Sequence, residues 1–340
     1  MPYYMYVALQ GDNNILVITI DPQTGKLTSQ AEVSVPGGPF TMAISPDRKF
    51  LYAGCRETPH LCSFQIDQAS GGLTQNGTVP LEAWPVYVNT DRKGKFVLSA
   101  YYQGAHVAVH PIGKDGSVGD PPIEWLATAT GAHAIQTEVT NSYAFVPHIV
   151  GNGPNAIFQF KFDENIGRLT PNSPAKVEPE EFLGPRHFCF HPSLDVLYFS
   201  NEQDCSVSGY RLDTATGTLS LFQTITTLPD GYSERNTCSQ IQITSSGKFL
   251  YVPNRGHDSI AGFSVDTSTG ALSAIGRVLS EARPNALALD LQDKFLFSAG
   301  QDSGRMASFS INSKSGELTA LETYPLGDGP CWILITELPA

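Results

Sequence analysis

An arginine and a glutamate flank one short segment of the sequence, at positions where a β-hairpin would bring them together. The segment reads GPRHFCFHPSLDVLYFSNE and predicts a strand, a turn at His-Pro-Ser and a second strand rich in β-branched and aromatic residues. Arg186 precedes the first strand and Glu202 follows the second. A carboxylate can act as a general base on water, and a guanidinium can bind an anionic oxygen through two hydrogen bonds. The pair is therefore a candidate for acid–base chemistry.

This hairpin is one copy of a pattern that recurs along the chain. One signature is an Asx/Thr-Gly turn closed by an aliphatic residue, as in DPQTGKL, DQASGGL and DTATGTL. Its seven copies are 45 to 53 residues apart and end at Leu27, Leu73, Val118, Leu169, Leu219, Leu272 and Leu318. A second signature, as in SPDRKFLYAG and TSSGKFLYVPN, precedes it in most copies. Each signature predicts a hairpin, and in the first one glycine supplies a positive φ.

Two hairpins per repeat make four strands, A to D in chain order, and this predicts the fold. Repeats of this length with four short strands are typical of β-propeller blades. The chain begins with YYMYVAL, a B strand, and ends with GPCWILITEL, an A strand. We therefore predict an all-β, seven-bladed propeller of four antiparallel strands per blade, forming a single domain over residues 1–340. Pairing of the C-terminal strand with the three N-terminal strands would close the ring. Tandem β-sandwiches or a parallel β-helix would explain neither the repeat length nor the split blade.

The repeat also predicts where functional residues lie. The start of strand A and the end of strand B share one face of the ring, which we call the mouth, and the irregular loops lie on that face. Aligning the repeats places these residues at the A starts: Phe40, Val86, His133, Arg186, Ser239, Asn285 and Cys331. The B ends carry the pairs Cys55 and Arg56, Tyr101 and Tyr102, His148 and Ile149, Asn201 and Glu202, Asn254 and Arg255, Gly300 and Gln301. We expect a polar pocket at the mouth.

The residue types at the mouth suit hydrolysis by activated water. Either Glu202 or a neutral His133 could act as the base, while arginines stabilise negative charge that develops on a carbonyl oxygen. The sequence has no GxSxG elbow and no cysteine beside a matched base, so a covalent nucleophile is not indicated. A divalent metal ion bound by glutamate, asparagine and histidine is a weaker alternative.

Composition restricts the partners and the compartment. The formal net charge of −12 argues against a nucleic-acid partner, although a small anion could still bind to local arginines. No apolar run is long enough to span a membrane and the N-terminal residues lack signal-peptide features, so we expect a cytoplasmic protein without a membrane partner. Six cysteines without CxxC spacing predict free buried thiols rather than disulfides or a zinc site.

Together, these motifs resemble those of one family of propellers. GPRHFCFHP, FSNE and VPNR, with the split blade and the SPDxKFLY and DxxTGxL repeats, resemble the seven-bladed propeller lactonase family over essentially the whole chain. That family includes bacterial 6-phosphogluconolactonases of the propeller type and fungal carboxy-cis,cis-muconate lactonizing enzymes. The resemblance implies a lactone site without metal or cofactor. In this sequence its functional residues would be His133, Arg186, Glu202 and Arg255.

We therefore expect a lactone hydrolase of carbohydrate metabolism that acts on a small anionic sugar-acid lactone, 6-phosphogluconolactone or a related aldonolactone. The expected oligomeric state is a monomer or a weak homodimer. The candidate substrate-binding residues are Arg56, His148, Asn201, Asn254, Asn285 and Gln301. Arg56 and Arg283 are the further cations that could hold a phosphate, and His187 and His191 are expected to be structural. A cycloisomerase that forms a lactone from carboxymuconate and a non-catalytic binding propeller remain alternatives.

Overall fold

Four-stranded antiparallel sheets build the whole of the computed structural model, which describes residues 3–149 and 153–339. The strands of the first half are β1 (Tyr3–Leu9), β2 (Asn14–Ile20), β3 (Leu27–Ser34), β4 (Pro39–Ile44), β5 (Phe50–Cys55), β6 (His60–Ile66), β7 (Leu73–Pro80), β8 (Tyr87–Thr90), β9 (Phe96–Tyr101), β10 (His106–Pro111), β11 (Glu124–Ala127), β12 (Gln136–Thr137), β13 (Tyr143–His148) and β14 (Ala156–Asp163).

The second half continues the same alternation of strand and turn. Its strands are β15 (Arg168–Val177), β16 (Pro185–Phe190), β17 (Val196–Asn201), β18 (Ser206–Asp213), β19 (Thr218–Thr226), β20 (Gln242–Ile243), β21 (Phe249–Asn254), β22 (Ser259–Val265), β23 (Leu272–Leu279), β24 (Pro284–Leu289), β25 (Phe295–Gly300), β26 (Arg305–Ile311), β27 (Leu318–Pro325) and β28 (Pro330–Glu337). Among the described residues, no helix is long and apolar enough to cross a membrane.

The two ends of the chain meet in one blade. Strand β28 pairs with β1, so that Tyr3 lies opposite Glu337 and Leu9 opposite Pro330, and the sheet runs β28-β1-β2-β3. We number this split sheet blade 1. Blades 2 to 7 are then β4–β7, β8–β11, β12–β15, β16–β19, β20–β23 and β24–β27. The predicted seven-bladed propeller and its closure are both confirmed, and closure covers the edge of β1 that would otherwise be open to pairing.

Burial is highest in the B strands and lowest in the outer D strands. Every residue of the B strands β17, β21 and β25 is buried, because both faces of these strands pack against neighbouring blades. The D strands β3 and β27 are mostly exposed and polar. The apolar runs of the second sequence signature are therefore the inter-blade core. The outer strands β3 and β27 carry glutamates and threonines that disfavour further strand pairing.

The two sequence signatures contact each other across blades. Gly71 closes a turn of blade 2 with φ of 70°, and a Cβ at this position would lie 2.2 Å from the ring of Tyr4 in blade 1. The Tyr6 hydroxyl donates a hydrogen bond of 2.9 Å to the Gly71 carbonyl. Tyr198 and Tyr251 donate in the same way to turn glycines of the following blades. Each DxxTG turn is thus held by the aromatic strand of the preceding repeat.

Candidate active site

Bulges at the starts of the A strands turn side chains toward the ring axis. Pro185 lies opposite Asn201 and His187 lies opposite Ser200, which leaves Arg186 without a partner in the ladder. The ladders of three other blades skip a residue in the same way, at Phe40, Asn285 and Cys331. A bulge changes the direction of a side chain. The residues that line the narrow central passage at the mouth are Phe40, Val86, His133, Arg186, His187, Gln240, Asn285, Cys331 and Trp332.

The register expected from the repeats is one residue out in blade 6. The repeats place Ser239 at the A start, but it is fully buried and its hydroxyl donates to the Pro284 carbonyl at 3.0 Å. Gln240 lines the passage instead. The A strand of this blade is short, since β20 begins only at Gln242, and repeat counting cannot detect such a change.

Glu202 joins two arginines from adjacent blades. Its Oε2 atom lies 2.7 Å from Arg186 Nε and 2.9 Å from Arg255 Nη2. The side chains are 5% exposed for Arg186, 13% for Arg255 and 17% for Glu202, so the charges are largely removed from solvent. Both contacts involve the same carboxylate oxygen, which leaves Oε1 for a water molecule or a substrate hydroxyl. With two cations and one anion, the cluster is suited to an anionic ligand and would repel a divalent metal ion.

The backbone holds this ion cluster in place. Arg255 Nη2 also donates to the Cys238 carbonyl at 3.1 Å, and the Glu202 amide donates to the Gly184 carbonyl at 2.8 Å. Gly184 has φ of 69°, and a Cβ there would overlap the side-chain oxygen of Gln203. The glycine of the GPR motif therefore allows the loop that carries Glu202 to approach the strand that carries Arg186.

Two buried histidines lie beside the arginines. The rings of His133 and His187 are 5.0 Å apart, and Arg186 Nη1 lies 3.3 Å from His187 Nδ1. Since an arginine can only donate, His187 accepts through Nδ1 in this contact. The Nδ1 atom of His133 is buried without a hydrogen-bond partner among the described residues. This nitrogen lies among the residues that line the passage, and a buried polar atom of this kind calls for a partner such as a water molecule or a ligand.

Burial and the neighbouring cations keep both rings neutral. Burial, followed by the charge of Arg186, holds the pKa of His133 well below its usual value, and the same two causes act on the pKa of His187. Burial and the like charge of Arg255 lower the pKa of Arg186 to about 10, against the opposing effect of Glu202. Arg186 therefore remains a cation at neutral pH.

An aromatic layer closes the passage below the arginines. His187 packs edge-on against Tyr87 and Trp332, with ring centroids 5.3 and 5.7 Å apart, and Tyr87 and Trp332 are themselves 5.5 Å apart. His187 and Trp332 also border a cavity of about 450 Å³ on the other side of the ring. We call His187, Tyr87 and Trp332 the aromatic floor. His187 was expected to be merely structural, but it belongs to the floor and also contacts Arg186.

Arg56 lies at the rim of the mouth. Its guanidinium carbon is 4.4 Å from the centre of the Trp84 ring and 5.3 Å from that of Phe40, and the residue is exposed. Phe40 in turn lines the passage beside Arg186. The two rings, which meet edge to face, restrict the arginine without neutralising it. Arg283, by contrast, pairs with Asp302 at 3.4 Å.

Three of the predicted substrate-binding residues have side chains that are used inside the blades. His148 is fully buried, and its ring nitrogens lie 3.0 Å from the Val146 carbonyl and 3.1 Å from Thr128 Oγ1. Burial lowers its pKa to about 4. Asn201 and Asn254 are fully buried as well: the first donates to Ser206 and Ser208, and the second to the Thr227 carbonyl. These contacts correct the expectation that the three side chains face a substrate, because they point into the sheet instead of the passage.

The remaining predicted residues stay near the mouth. Asn285 is buried on a bulge and lines the passage with Arg186 and His133. Gln301 is half-buried directly after β25, and its backbone amide donates to the Arg283 carbonyl at 3.0 Å.

His191, which was expected to be structural, accepts hydrogen bonds from the backbone amides of Ser193 and Leu194, so it caps the turn that its HPS motif predicts.

Comparisons with known proteins show the family of the chain and agree with its fold. The family model described as a seven-bladed β-propeller lactonase matches residues 4–335. A 6-phosphogluconolactonase of Pectobacterium carotovorum subsp. carotovorum is 34% identical over 338 residues, which cover 99% of this chain and 100% of the relative. One from Erwinia tasmaniensis is 33% identical over 314 residues, covering 92% and 93%. Among solved structures, the periplasmic gluconolactonase of Pseudomonas aeruginosa covers 100% of both chains with a TM-score of 0.90 and 22% identity, a likeness of fold.

Proposed function

We propose that the chain, which belongs to the seven-bladed β-propeller lactonase family, hydrolyses a sugar-acid lactone at the mouth of the ring. The observation that carries the proposal is Glu202 held between Arg186 and Arg255. We further propose 6-phosphogluconolactone as the substrate. Support for this choice comes from the names of relatives that match almost the full chain, and from the excess positive charge around Glu202.

In the proposed mechanism, Glu202 activates water. The Oε1 atom accepts a proton as the water oxygen attacks the lactone carbonyl carbon, and negative charge moves onto the carbonyl oxygen. The guanidinium groups of Arg186 and Arg255 stabilise this oxyanion. When the tetrahedral intermediate collapses, the bond from the carbonyl carbon to the ring oxygen breaks, and the leaving alkoxide takes the proton back from Glu202. The products are a carboxylic acid and a free hydroxyl group on one chain, which balances the addition of one water.

His133 is proposed to bind the substrate. Its neutral imidazole has a buried nitrogen without a partner among the described residues, so a sugar hydroxyl that reaches Nδ1 would satisfy it. Asn285 lines the same passage and could contact a second hydroxyl. We assign the base to Glu202 over His133 because Glu202 is the more exposed of the two and retains a free carboxylate oxygen.

Arg56 is the proposed phosphate contact. Among the described residues it has no carboxylate partner, whereas Arg283 is paired with Asp302. The contacts with Trp84 and Phe40 hold the Arg56 cation at the rim. Phe40 also lines the passage that Arg186 lines, so Arg56 lies at the edge of that passage. A substrate that extends from the ion cluster would place its charged end there.

A panel of substrates tests the proposal. Turnover of 6-phosphogluconolactone, gluconolactone and carboxymuconate is measured with and without a chelator, for the wild type and for Arg56→Met and Arg283→Met. We expect hydrolysis of the phosphorylated lactone that the chelator does not change. We also expect a KM for this substrate at least 10-fold higher in Arg56→Met, with little change for gluconolactone or in Arg283→Met. Loss of carboxymuconate absorbance without lactone hydrolysis would overturn the assignment, as would turnover of none of the three.

A further inference from the structure

Two thiols and an imidazole meet at the mouth end of blade 2, away from the ion cluster. Cys55 is the last residue of β5, and His60 and Cys62 belong to β6. Cys55 lies directly opposite His60 in the antiparallel ladder. Residues two apart on a strand share a face, so the Cys62 side chain lies on the same side as that of His60. Their sulfur and nitrogen donor atoms all lie within 4.8 Å of one another.

The hydrogen bonds of the cluster suit a metal ligand set. His60 Nδ1 is 2.6 Å from the Thr58 carbonyl, so the neutral ring carries its proton there and keeps a lone pair on Nε2. Metal-binding histidines are commonly oriented by such a bond to a backbone carbonyl. Gly37 has φ of 108°, and a Cβ there would lie 2.6 Å from His60 Cε1. The glycine thus allows the backbone to pack directly against the ring.

A disulfide fits this arrangement less well than a metal ion does. Cys62 faces Ala53 in the ladder, while Cys55 faces His60, so the two cysteines are diagonal neighbours. Diagonal positions on adjacent strands are about 7–8 Å apart, beyond the usual Cα separation of about 4.4–6.8 Å in a disulfide. The thiols can nevertheless approach one atom placed between them. A metal ion uses the shared face without requiring the strands to move closer.

We propose that Cys55, His60 and Cys62 form a binding site for a borderline-soft metal ion of the Zn²⁺ type. Tetrahedral zinc with sulfur at about 2.3 Å and nitrogen at about 2.0 Å holds its ligand atoms roughly 3.6 Å apart, so small side-chain movements would complete the site. Thr78 Oγ1 is 3.9 Å from Cys62 Sγ, and a water molecule would supply the fourth ligand. Two thiolates and an imidazole select against Mg²⁺ and Ca²⁺.

Burial explains how the site would be stable. Cys55 and Cys62 are 0% and 2% exposed, whereas His60 is half-buried and offers a path for the ion. A bound ion would tie the end of β5 to the start of β6, directly before Arg56. The Cys-x4-His-x-Cys spacing depends on strand pairing, so the sequence alone does not indicate it.

Cobalt binding tests the proposal, because Co²⁺ reports thiolate ligands by charge-transfer absorption in the near ultraviolet. Reduced, chelator-treated protein is titrated with Co²⁺ and then with Zn²⁺. We expect saturation at one equivalent, release of protons, and displacement of the cobalt spectrum by zinc. The variants Cys62→Ser and His60→Ala should weaken binding at least 10-fold. Cys189→Ser, which removes a half-buried thiol of blade 5, should leave it unchanged.

Two outcomes would overturn the proposal. One is the absence of a charge-transfer band at stoichiometric Co²⁺ in folded wild-type protein. The other is a band of unchanged affinity in both Cys62→Ser and His60→Ala. If the buried Cys62→Ser variant does not fold by circular dichroism, the half-buried His60→Ala variant decides alone. A Zn²⁺-dependent rise in Tm that occurs in the wild type and in Cys189→Ser, but not in His60→Ala, gives independent support.

Discussion

Arg186 Nε lies 2.7 Å from Glu202 Oε2, across the mouth end of a single hairpin in blade 5. Arg255 of blade 6 reaches the same oxygen at 2.9 Å, so one carboxylate is shared by two cations. A largely buried cluster of two arginines and one glutamate is costly to disrupt, because removing the carboxylate leaves two guanidinium groups close together without water. The geometry therefore links the stability of this part of the ring to its proposed chemistry.

The first prediction concerns the loss of the shared carboxylate. Glu202→Gln keeps the shape of the side chain but removes its charge, and the Oε1 base is lost with it. We expect kcat/KM for the lactone to fall about 100-fold or more and the free energy of unfolding to fall by about 3 kcal/mol. Turnover and urea unfolding measure the two effects. Glu317→Gln, at an exposed residue of a tight turn on the opposite face of the ring, is the control, and full activity in a folded Glu202→Gln protein would contradict the assignment.

The second prediction separates charge from geometry at Arg255. Its Nη2 atom contacts both Glu202 and the Cys238 carbonyl, and a lysine ammonium cannot reproduce the planar fork. Arg255→Lys is therefore expected to lower kcat/KM about 100-fold although the positive charge remains. Arg168→Lys, at an exposed salt bridge, should have no effect on turnover. Wild-type kinetics in Arg255→Lys would mean that charge alone is sufficient.

The third prediction distinguishes the two buried histidines. His133 lines the passage and has a nitrogen without a partner among the described residues, whereas both nitrogens of His148 have protein partners. His133→Gln should raise KM or lower kcat by about 10-fold or more with modest loss of stability. His148→Gln should lower the urea midpoint while the kinetics of the folded protein stay within about 2-fold of wild type. The reverse pattern would return His148 to the site and remove His133 from it.

The fourth prediction concerns pH and stability. Burial lowers the folded-state pKa of His133, His187 and His148, the last to about 4, while unfolded histidine titrates near 6.5. Below pH 6.5 the unfolded chain therefore binds protons that the folded protein does not, so stability must fall as pH falls. Below pH 6.5, each such histidine lowers the free energy of unfolding by about 1.4 kcal/mol per pH unit until its folded pKa is reached. Urea unfolding at pH 7.0 and 5.5 measures this decrease in stability. The decrease should be smaller in His148→Gln than in the wild type. Equal wild-type stabilities at both pH values would exclude this linkage.

The fifth prediction tests how the blades are held together. Gly71→Ala places a methyl group against the Tyr4 ring of the neighbouring blade, in a backbone conformation with φ of 70°. Gly231 has φ of 77°, and a Cβ there would have no described atom within 4 Å, so Gly231→Ala carries the backbone strain alone. We expect about 1 kcal/mol of destabilisation for Gly231→Ala and at least twice that for Gly71→Ala. Equal losses in thermal or urea unfolding would show that the contact with Tyr4 is unimportant.

The sequence by itself determined the architecture, because the information that specifies a blade is local. A DxxTG turn needs glycine at one position, and an apolar strand between two turns must be buried on both faces. These requirements repeat seven times, and the split repeat at the chain ends predicts how the ring closes. The propeller was predicted in this way, the family was predicted from the resemblance of its motifs, and both are confirmed. The proximity of Arg186 and Glu202 was also predictable, since one hairpin carries both.

Only the tertiary structure decided which side chains face the passage. Successive residues of a strand point to opposite faces, so a shift of one residue exchanges a passage position for a buried one. Bulges at Phe40, Arg186 and Asn285 make such shifts, and they leave no mark in the repeat. His148 and Asn254 end B strands and were expected to face the substrate, but their side chains form hydrogen bonds within the blades. Gln240 and the contact of His187 with Arg186 were missed. Contacts between blades likewise join residues far apart in sequence, and only folding of the whole ring brings them within hydrogen-bonding distance.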